Sequence, residues 1–275
     1  MTGYIISRLF RAAVTMLLTV SMVFLFIRFS GDPAAALVPP DAPREVIDQY
    51  AEAMGLDKPL WQQYSGYVGG LLQGNFGFSI HTGIAVEEVF LDRLPHTLQL
   101  GITALFLAIA IGIPIGAFAA VQRGSVLDRF LMGVSVLAFA MPNFLFGLIL
   151  ILVAALSFKT FLGGENAHVI WPALTLGLAS MGSFARFTRS SVLETINAPY
   201  VRAAEARGIP FHIRLSHHVV PNAAIPMVTL IGLSLGSLVA GSVVTEQVFA
   251  WPGVGQLLVR SVATRDLAQV QFIVL

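Results

Sequence analysis

Long apolar runs separated by polar segments dominate the pattern of this chain. Five of them approach or exceed the roughly 20 residues that a helix needs to cross the hydrocarbon core of a bilayer. They cover residues 9–29, 97–121, 130–156, 172–187 and 222–249. A sixth run begins near Leu267 and reaches Leu275, the last residue of the sequence, without a polar flank. The pattern predicts an all-α membrane protein, a polytopic transmembrane helical bundle with five complete spans and a sixth that is cut short.

Two of these runs allow a second interpretation. The first follows Arg8 and Arg11 and could be a cleaved signal peptide, but its apolar core is too long for one and the other runs already require membrane insertion. The fourth is diluted by small residues, which are typical of a helix packed among other helices. These residues are Gly177, Ser180, Gly182 and Ser183.

The composition supports the membrane interpretation. Only 11% of the 275 residues are charged, against roughly 25% in a soluble domain. With 56% hydrophobic residues, the chain has too little polar surface to cover a soluble globule, and it is too apolar to be disordered. The net charge of +1 provides no basic field for nucleic acid. Cysteine is absent, which excludes disulfides, thiolate metal sites and cysteine nucleophiles.

Arginine placement predicts the orientation. With the N-terminus in the cytoplasm, the inner side carries only Asp128, Glu194 and Glu205 as acids, and the positive-inside rule is satisfied. The cations on that side are Arg8, Arg11, Arg123, Arg129, Arg186, Arg189, Arg202, Arg207 and Arg214. We therefore expect a multi-pass protein with a cytoplasmic N-terminus.

Two connections are long. Residues 31–96 form an acidic extracytoplasmic loop with an amphipathic helical stretch at 43–54, and this loop is either a solvated cap or a docking surface for a soluble partner. Residues 186–221 form an arginine-rich cytoplasmic loop with a helical pattern. We expect one transmembrane domain, residues 1–275, that carries both loops.

The sequence contains none of the common catalytic or nucleotide-binding motifs. It holds no phosphate-binding Gly-x-x-x-x-Gly-Lys-Ser/Thr run, so the chain cannot itself be an ATPase, and no metalloprotease or serine hydrolase motif occurs. The neighbouring histidines His212, His217 and His218 are interpreted as solvated surface rather than a metal site. Glu246, near the outer end of the fifth run, is either a water-accessible site or an interfacial residue, and we favour the interfacial position.

The cytoplasmic loop contains a compact helical segment. Residues 200–207 are mostly good helix formers, and Gly208 is suited to a left-handed helix stop. Pro210 can then open a second helix. This helix, turn and second helix, hereafter the knob, would present small alanines to a groove of another protein, with charged residues around them. The alternative is an amphipathic connector without a partner. The residues concerned are Arg202, Ala203, Ala204, Glu205, Ala206, Arg207 and Gly208.

Several motifs resemble those of a known family. Ala203, Ala204, Gly208 and, thirteen residues later, Pro221 resemble the EAA loop of binding-protein-dependent ABC importer permeases. Other segments resemble the B-type permease of the dipeptide, oligopeptide, nickel and glutathione group, and together they span essentially the whole chain. These segments are 28–33, 54–61, 70–77, 93–98 and 249–255. One departure is Arg202, which stands where the general EAA motif has glutamate.

The resemblance implies a type I ABC importer permease in the cytoplasmic (inner) membrane of a bacterium or archaeon, surrounded by lipid. Its partners would be a second permease subunit, two ATPase subunits that bind ATP and Mg, and an extracytoplasmic solute-binding protein. The chain itself would need no cofactor or metal. The loop residues 202–205, 207 and 208 would couple it to the ATPases. Peptides are the expected solute, and nickel chelates, glutathione and other small solutes stay open. Because relatives complete a sixth helix, we expect the sequence to continue.

The fifth run offers a wall for the translocation path. Ser234, Ser237, Gly241 and Thr245 are spaced by three, four and four residues, which places them on one helical face. The same stripe could serve helix packing, as could Gly232 with Gly236 and Gly112 with Gly116. Pro114 and Pro142 predict kinks in the second and third runs.

Two other function classes compete with this interpretation. An ATP-independent secondary transporter or channel would be expected to show an inverted repeat and a central ionisable group, and the sequence shows neither. A purely structural membrane scaffold would not need the cytoplasmic knob.

Overall fold

The computed structural model describes residues 2–29, 43–53, 55–158, 168–236 and 238–275. Within these ranges the chain is helical, and its only strand-like feature is an isolated bridge between Phe78 and Ala85. The first helices are α1 (Thr2–Phe29), α2 (Arg44–Ala53), α3 (Leu60–Leu72), α4 (Val86–Val121), α5 (Val126–Ala140), α6 (Asn143–Phe158) and α7 (Ile170–Ile196). They are followed by α8 (Pro199–Ala206), α9 (Phe211–Ile213), a π-helical turn (Arg214–Val219), α10 (Val220–Gly236), α11 (Leu238–Phe249), α12 (Val254–Ala263) and α13 (Leu267–Val274).

The chain divides into two compact units. Unit 1 comprises Met1–Arg93 and Leu257–Leu275, and unit 2 comprises Leu94–Gln256. The amphipathic stretch predicted in the 31–96 loop forms α2, and that loop also contains α3. The prediction of a single transmembrane domain stays a prediction.

Aromatic contacts organise unit 1. Phe24 of α1 packs on Tyr64 and Tyr67 of α3, with ring centroids 5.3 and 5.9 Å apart. Phe272 of α13 lies edge-on to Phe76 and Phe90 at 4.8 and 5.3 Å. Most of α1 exposes apolar side chains, as expected of a helix that faces lipid.

Helix α7 occupies the centre of unit 2, packed by α5, α6, α10 and α11. Small residues permit the close crossings, as the sequence indicated. A Cβ atom on Gly112 of α4 would lie 2.7 Å from the Met181 carbonyl oxygen, and one on Gly177 would lie 2.8 Å from that of Ala104. The diluted fourth run is therefore a helix enclosed by its neighbours, which explains why it needs little lipid-facing apolar surface.

Five complete spans are not confirmed. Among the described residues, three helical stretches are long and apolar enough to cross a membrane: Gly3–Phe26, Val86–Val121 and Phe211–Gly236. A fourth is reached if α5 and α6, which are bent by 102°, count as one broken span. The sixth run forms α13, which begins at Leu267 as expected.

The third run is interrupted where a kink was predicted. Met141 is extended (φ −74°, ψ 127°), because the ring of Pro142 disfavours helical backbone in the residue before it. The expected kink is therefore a complete helix break between α5 and α6, and a single span over 130–156 stays a prediction.

Candidate coupling site and translocation path

Local sequence signals define both ends of α8. Ala198 is extended (φ −64°, ψ 145°) and Pro199 occupies the first helical position, where its missing N–H costs nothing. Gly208 adopts φ +77°, which confirms the predicted left-handed stop. Its N–H donates to the Glu205 carbonyl at 2.8 Å, and the Ile209 N–H donates to the Ala204 carbonyl at 3.2 Å. This pair of bonds is a Schellman motif and satisfies two carbonyls at the helix end.

One face of α8 packs on the chain itself. Val201 is 3% exposed and joins a buried cluster with Val192 of α7, Val219 and Ala223. Ala204, one turn later than Val201, is 6% exposed. The expectation that Ala204 offers free surface to a partner is therefore wrong, because its side chain points into the chain's own core.

The opposite face of α8 is exposed and carries charge. Its exposed residues are Arg202, Ala203, Glu205 and Ala206, and Arg207 and Gly208, which follow the helix end, are exposed as well. Glu205 forms an ion pair with Arg214 of the π turn at 2.9 Å. Arg214 is 15% exposed and Glu205 62%, so the pair lies at the edge of the knob. The structure thus brings the predicted coupling residues into one short helix and the turn that ends it, with two small alanines on the accessible side of the helix.

The second helix of the knob continues into the membrane span. Pro210 is the N-cap of α9, as its position predicted, and helical structure then runs from Phe211 to Gly236. Pro221 cannot donate the backbone hydrogen bond that an α-helix would require, and the wider π turn Arg214–Val219 directly precedes it. Helical structure is therefore continuous through Pro221, and the end of the cytoplasmic loop and the following span share one helix.

The predicted path residues fall on two helices. Ser234 of α10 is half-buried, and its hydroxyl donates to the Leu230 carbonyl at 2.9 Å. In α11, Gly241 is exposed whereas Thr245 is 1% exposed. Ser237 lies outside the described residues, as do Ser30 to Pro33 and Met54 of the family motifs. The assignment of these four residues to a translocation path stays a prediction.

The sequence did not predict that two acidic residues, Glu246 and Asp128, are buried and bonded to other helices. Glu246 has no exposed surface, so the water-accessible position is wrong, whereas its interfacial depth in the membrane stays a prediction. Asp128, counted only for membrane sidedness, is 2% exposed and pairs with Arg189 of α7. The available signal was weak: each acid lies within or beside an apolar run, where a charge requires partners that sequence spacing does not reveal.

The family assignment comes from two adjoining matches. Residues 112–275 match the family described as "Binding-protein-dependent transport system inner membrane component". Residues 1–101 match its N-terminal counterpart, described as "Binding-prot-dependent transport system membrane comp, N-term". Together they account for nearly all of the chain.

Curated relatives cover almost the full length as well. The dipeptide transport system permease protein DppB of Escherichia coli K12 is 33% identical over 311 residues, covering 98% of this chain and 91% of DppB. The glutathione transport system permease protein GsiC of Escherichia coli K12 is 38% identical over 275 residues, covering 98% of this chain and 90% of GsiC.

Solved transporters share the fold at low sequence identity. The inward-facing MetNI methionine ABC transporter superposes with a TM-score of 0.55 at 19% identity, covering 68% of this chain and 88% of its own. An amino acid ABC transporter with histidines gives a TM-score of 0.52 at 19% identity, covering 68% and 85%. From the full-length family match and its relatives, the chain belongs to the inner-membrane components of binding-protein-dependent transport systems and acts as the permease subunit of an ABC importer.

Proposed function

We propose that this permease imports short peptides or closely related peptide-like solutes. The proposal is carried by the full-length similarity to permeases named for dipeptide and glutathione transport, because both solutes are small and peptide-bonded. Membership of the ABC importer family sets aside the ATP-independent transporter or channel. The membrane component is not itself catalytic, and ATP hydrolysis takes place on separate ATPase subunits.

The test of the substrate class is direct. The permease is purified with its co-encoded partners, reconstituted in liposomes with the solute-binding protein, and supplied with labelled dipeptide, glutathione or nickel chelate. ATP-dependent uptake of dipeptide, blocked by an excess of unlabelled peptide, supports the proposal. Uptake of nickel chelate alone contradicts it.

The proposed assembly pairs this chain with a second permease subunit and two ATPase subunits, with the N-terminus in the cytoplasm. A solute-binding protein delivers solute at the extracytoplasmic side, where α2 and α3 belong to the long acidic loop. ATP-driven closure of the ATPases moves the knob and alternates access to a path that includes α11.

Helix α8 supplies the proposed ATPase contact. The supporting observation is its division into a buried face, anchored by Val201 and Ala204, and an accessible face with Ala203 and Ala206. A partner groove can approach the accessible face closely because neither alanine extends beyond Cβ. The buried face keeps the helix rigid, so that force applied to it reaches the helix Phe211–Gly236.

This contact is tested on the accessible face rather than at Ala204. Ala203→Trp and Ala206→Trp should leave the permease inserted while they release the ATPase subunits or reduce substrate-stimulated hydrolysis. Ala263→Trp is the matched control, since Ala263 is also an exposed helical alanine, near the end of α12. Normal ATPase co-purification and normal stimulated hydrolysis in both α8 variants would contradict the proposed contact.

A further inference from the structure

Three donors from three helices converge on the carboxylate of Glu246, which is fully buried. The Thr97 hydroxyl of α4 donates to Oε1 at 2.8 Å, and the Ser242 hydroxyl, one turn earlier in α11, donates to the same oxygen at 2.8 Å. The Gln256 N–H, in the first turn of α12, donates to Oε2 at 3.0 Å. Both carboxylate oxygens therefore accept hydrogen bonds, and the one from Thr97 links Glu246 to a helix 149 positions away in the sequence.

The same residues cap the start of α12. The first N–H groups of a helix lack partners within the helix, and a carboxylate beside them is favoured by the helix dipole. Glu246 satisfies the N–H of Gln256, and the Thr97 hydroxyl oxygen accepts from the N–H of Val254 at 2.8 Å. Thr97 thus uses its hydroxyl twice, as donor to Glu246 and as acceptor from α12.

Close backbone approach encloses this group. A Cβ atom on Gly253 would lie 2.5 Å from Thr97 Oγ1, and one on Gly255 would lie 2.6 Å from the Cα atom of Val243. The Trp251 N–H donates to the Glu246 carbonyl at 2.8 Å, so the turn folds back over the residue that it follows. The two glycines therefore allow the start of α12 to pack directly against Thr97 and α11, with the Glu246 carboxylate between them.

We propose that Glu246 is a positioning residue for transport. With Thr97, it locks α4, α11 and the start of α12 into one rigid group, hereafter the Glu246 clasp. The face of α11 that carries Gly241 and Thr245 then moves together with α4 when access alternates. The carboxylate accepts at both oxygens, whereas an amide would present a donor to one of the three donors. This inference extends the proposed function and uses its alternating-access step.

The experiment compares variants in the complete reconstituted transporter. Glu246→Gln and Thr97→Val remove bonds of the clasp while nearly preserving side-chain volume. Thr97→Ser is the conservative partner, since it keeps the hydroxyl. Thr175→Val is the matched control: Thr175 is fully buried, and its hydroxyl bonds to the Trp171 carbonyl of its own helix at 3.1 Å.

Labelled dipeptide uptake is measured per assembled transporter as the concentration of loaded binding protein is varied. We expect Glu246→Gln and Thr97→Val each to lower the maximal rate about tenfold, and the half-saturating concentration to change less than about twofold. Thr97→Ser and Thr175→Val should stay within about twofold of wild type. The double variant Thr97→Val, Glu246→Gln should be no worse than Glu246→Gln alone, because the two residues act as a unit.

A second readout does not require the substrate to be known. A single cysteine replaces Gly241 in the naturally cysteine-free chain, and its labelling by a thiol reagent is compared without nucleotide and with a non-hydrolysable ATP analogue. The labelling rate should depend on nucleotide in the wild-type background and lose that dependence in Glu246→Gln. If wild type imports no dipeptide, the substrate proposal fails while this readout still tests the clasp.

Two results would overturn the positioning role. One is a lower yield of assembled transporter with unchanged rate per transporter and unchanged nucleotide dependence, since Glu246 would then serve folding alone. The other is a wild-type labelling rate that does not respond to nucleotide, since α11 would then not take part in the alternating step.

Discussion

Asp128 and Arg189 lie 61 positions apart in the sequence and form a two-bond ion pair. Nε of Arg189 donates to Oδ1 at 2.6 Å, and Nη2 donates to Oδ2 at 2.7 Å. The Asp128 carboxylate also accepts from the Gly124 N–H at 2.9 Å. The turn between α4 and α5 is thereby joined to α7, the helix that leads into α8. The pair resists separation because loss of Arg189 would leave the buried Asp128 charge unpaired, and loss of Asp128 would leave the partly buried Arg189 charge unpaired.

Asp128→Asn should destabilise the permease by about 1–3 kcal/mol, because it removes the charge that pairs with the partly buried Arg189. The measurement is the midpoint of thermal unfolding of the detergent-solubilised protein. Asp92→Asn is the control, since the Asp92–Arg93 contact is 3.6 Å long and Asp92 is 76% exposed. Equal midpoints for the two variants would show that the pair with Arg189 contributes no more than a surface contact.

Substitution of Gly208 should act through the backbone alone. A Cβ atom there meets no described atom within 4 Å, but φ is +77°. Gly208→Val should therefore fray the end of α8 at a cost of about 1–2 kcal/mol and weaken coupling of uptake to hydrolysis. Gly208→Asn should be milder, because asparagine tolerates the left-handed region. The quantity to compare is the number of ATP molecules hydrolysed per solute molecule imported. A ratio equal to that of the wild type in both variants would exclude a role for the left-handed conformation of Gly208 in coupling.

Two glycines of similar sequence context should respond with opposite sign. Gly112→Ala places its Cβ atom against the Met181 carbonyl and should destabilise the protein by about 1–3 kcal/mol. Gly232→Ala meets no described atom within 4 Å and should gain up to about 1 kcal/mol of helix propensity. Thermal unfolding of the isolated permease separates them. A destabilised Gly232→Ala in the assembled transporter, but not in the isolated chain, would indicate contact with another subunit.

The proposed orientation is tested by single cysteines at exposed positions. Gln73 lies just after α3, whereas Gln122 and Ser190 lie on the side assigned to the cytoplasm, and all three are exposed. Only Gln73→Cys should react with an impermeant thiol reagent in intact cells, and the other two should react after permeabilisation. Ser191 is a poor choice, since it is 8% exposed and bonds to the Ala223 carbonyl at 3.0 Å. Labelling of Ser190→Cys but not Gln73→Cys in intact cells would invert the topology.

Structural features that depend only on residues adjacent in the sequence could be predicted from the sequence. Pro199, Gly208 and Pro210 delimit the helices of the knob because proline and glycine act on the backbone of their own and adjacent residues. The break at Pro142 has the same local origin, although its 102° bend exceeds a simple kink. The family motifs likewise sufficed to recognise an ABC importer permease.

The sequence by itself determined that the chain is a helical membrane protein, because it has long apolar runs and too few charged residues to form the surface of a soluble protein. The tertiary structure alone decided that Ala204 faces inward while Ala203 faces outward, since the docking of α8 on Val192 and Val219 selects the buried side. It also decided that the carboxylate of Glu246 accepts a hydrogen bond from the hydroxyl of Thr97, a residue 149 positions away. Contacts over such separations depend on how helices cross, and helix crossing is set by the packing of all side chains together.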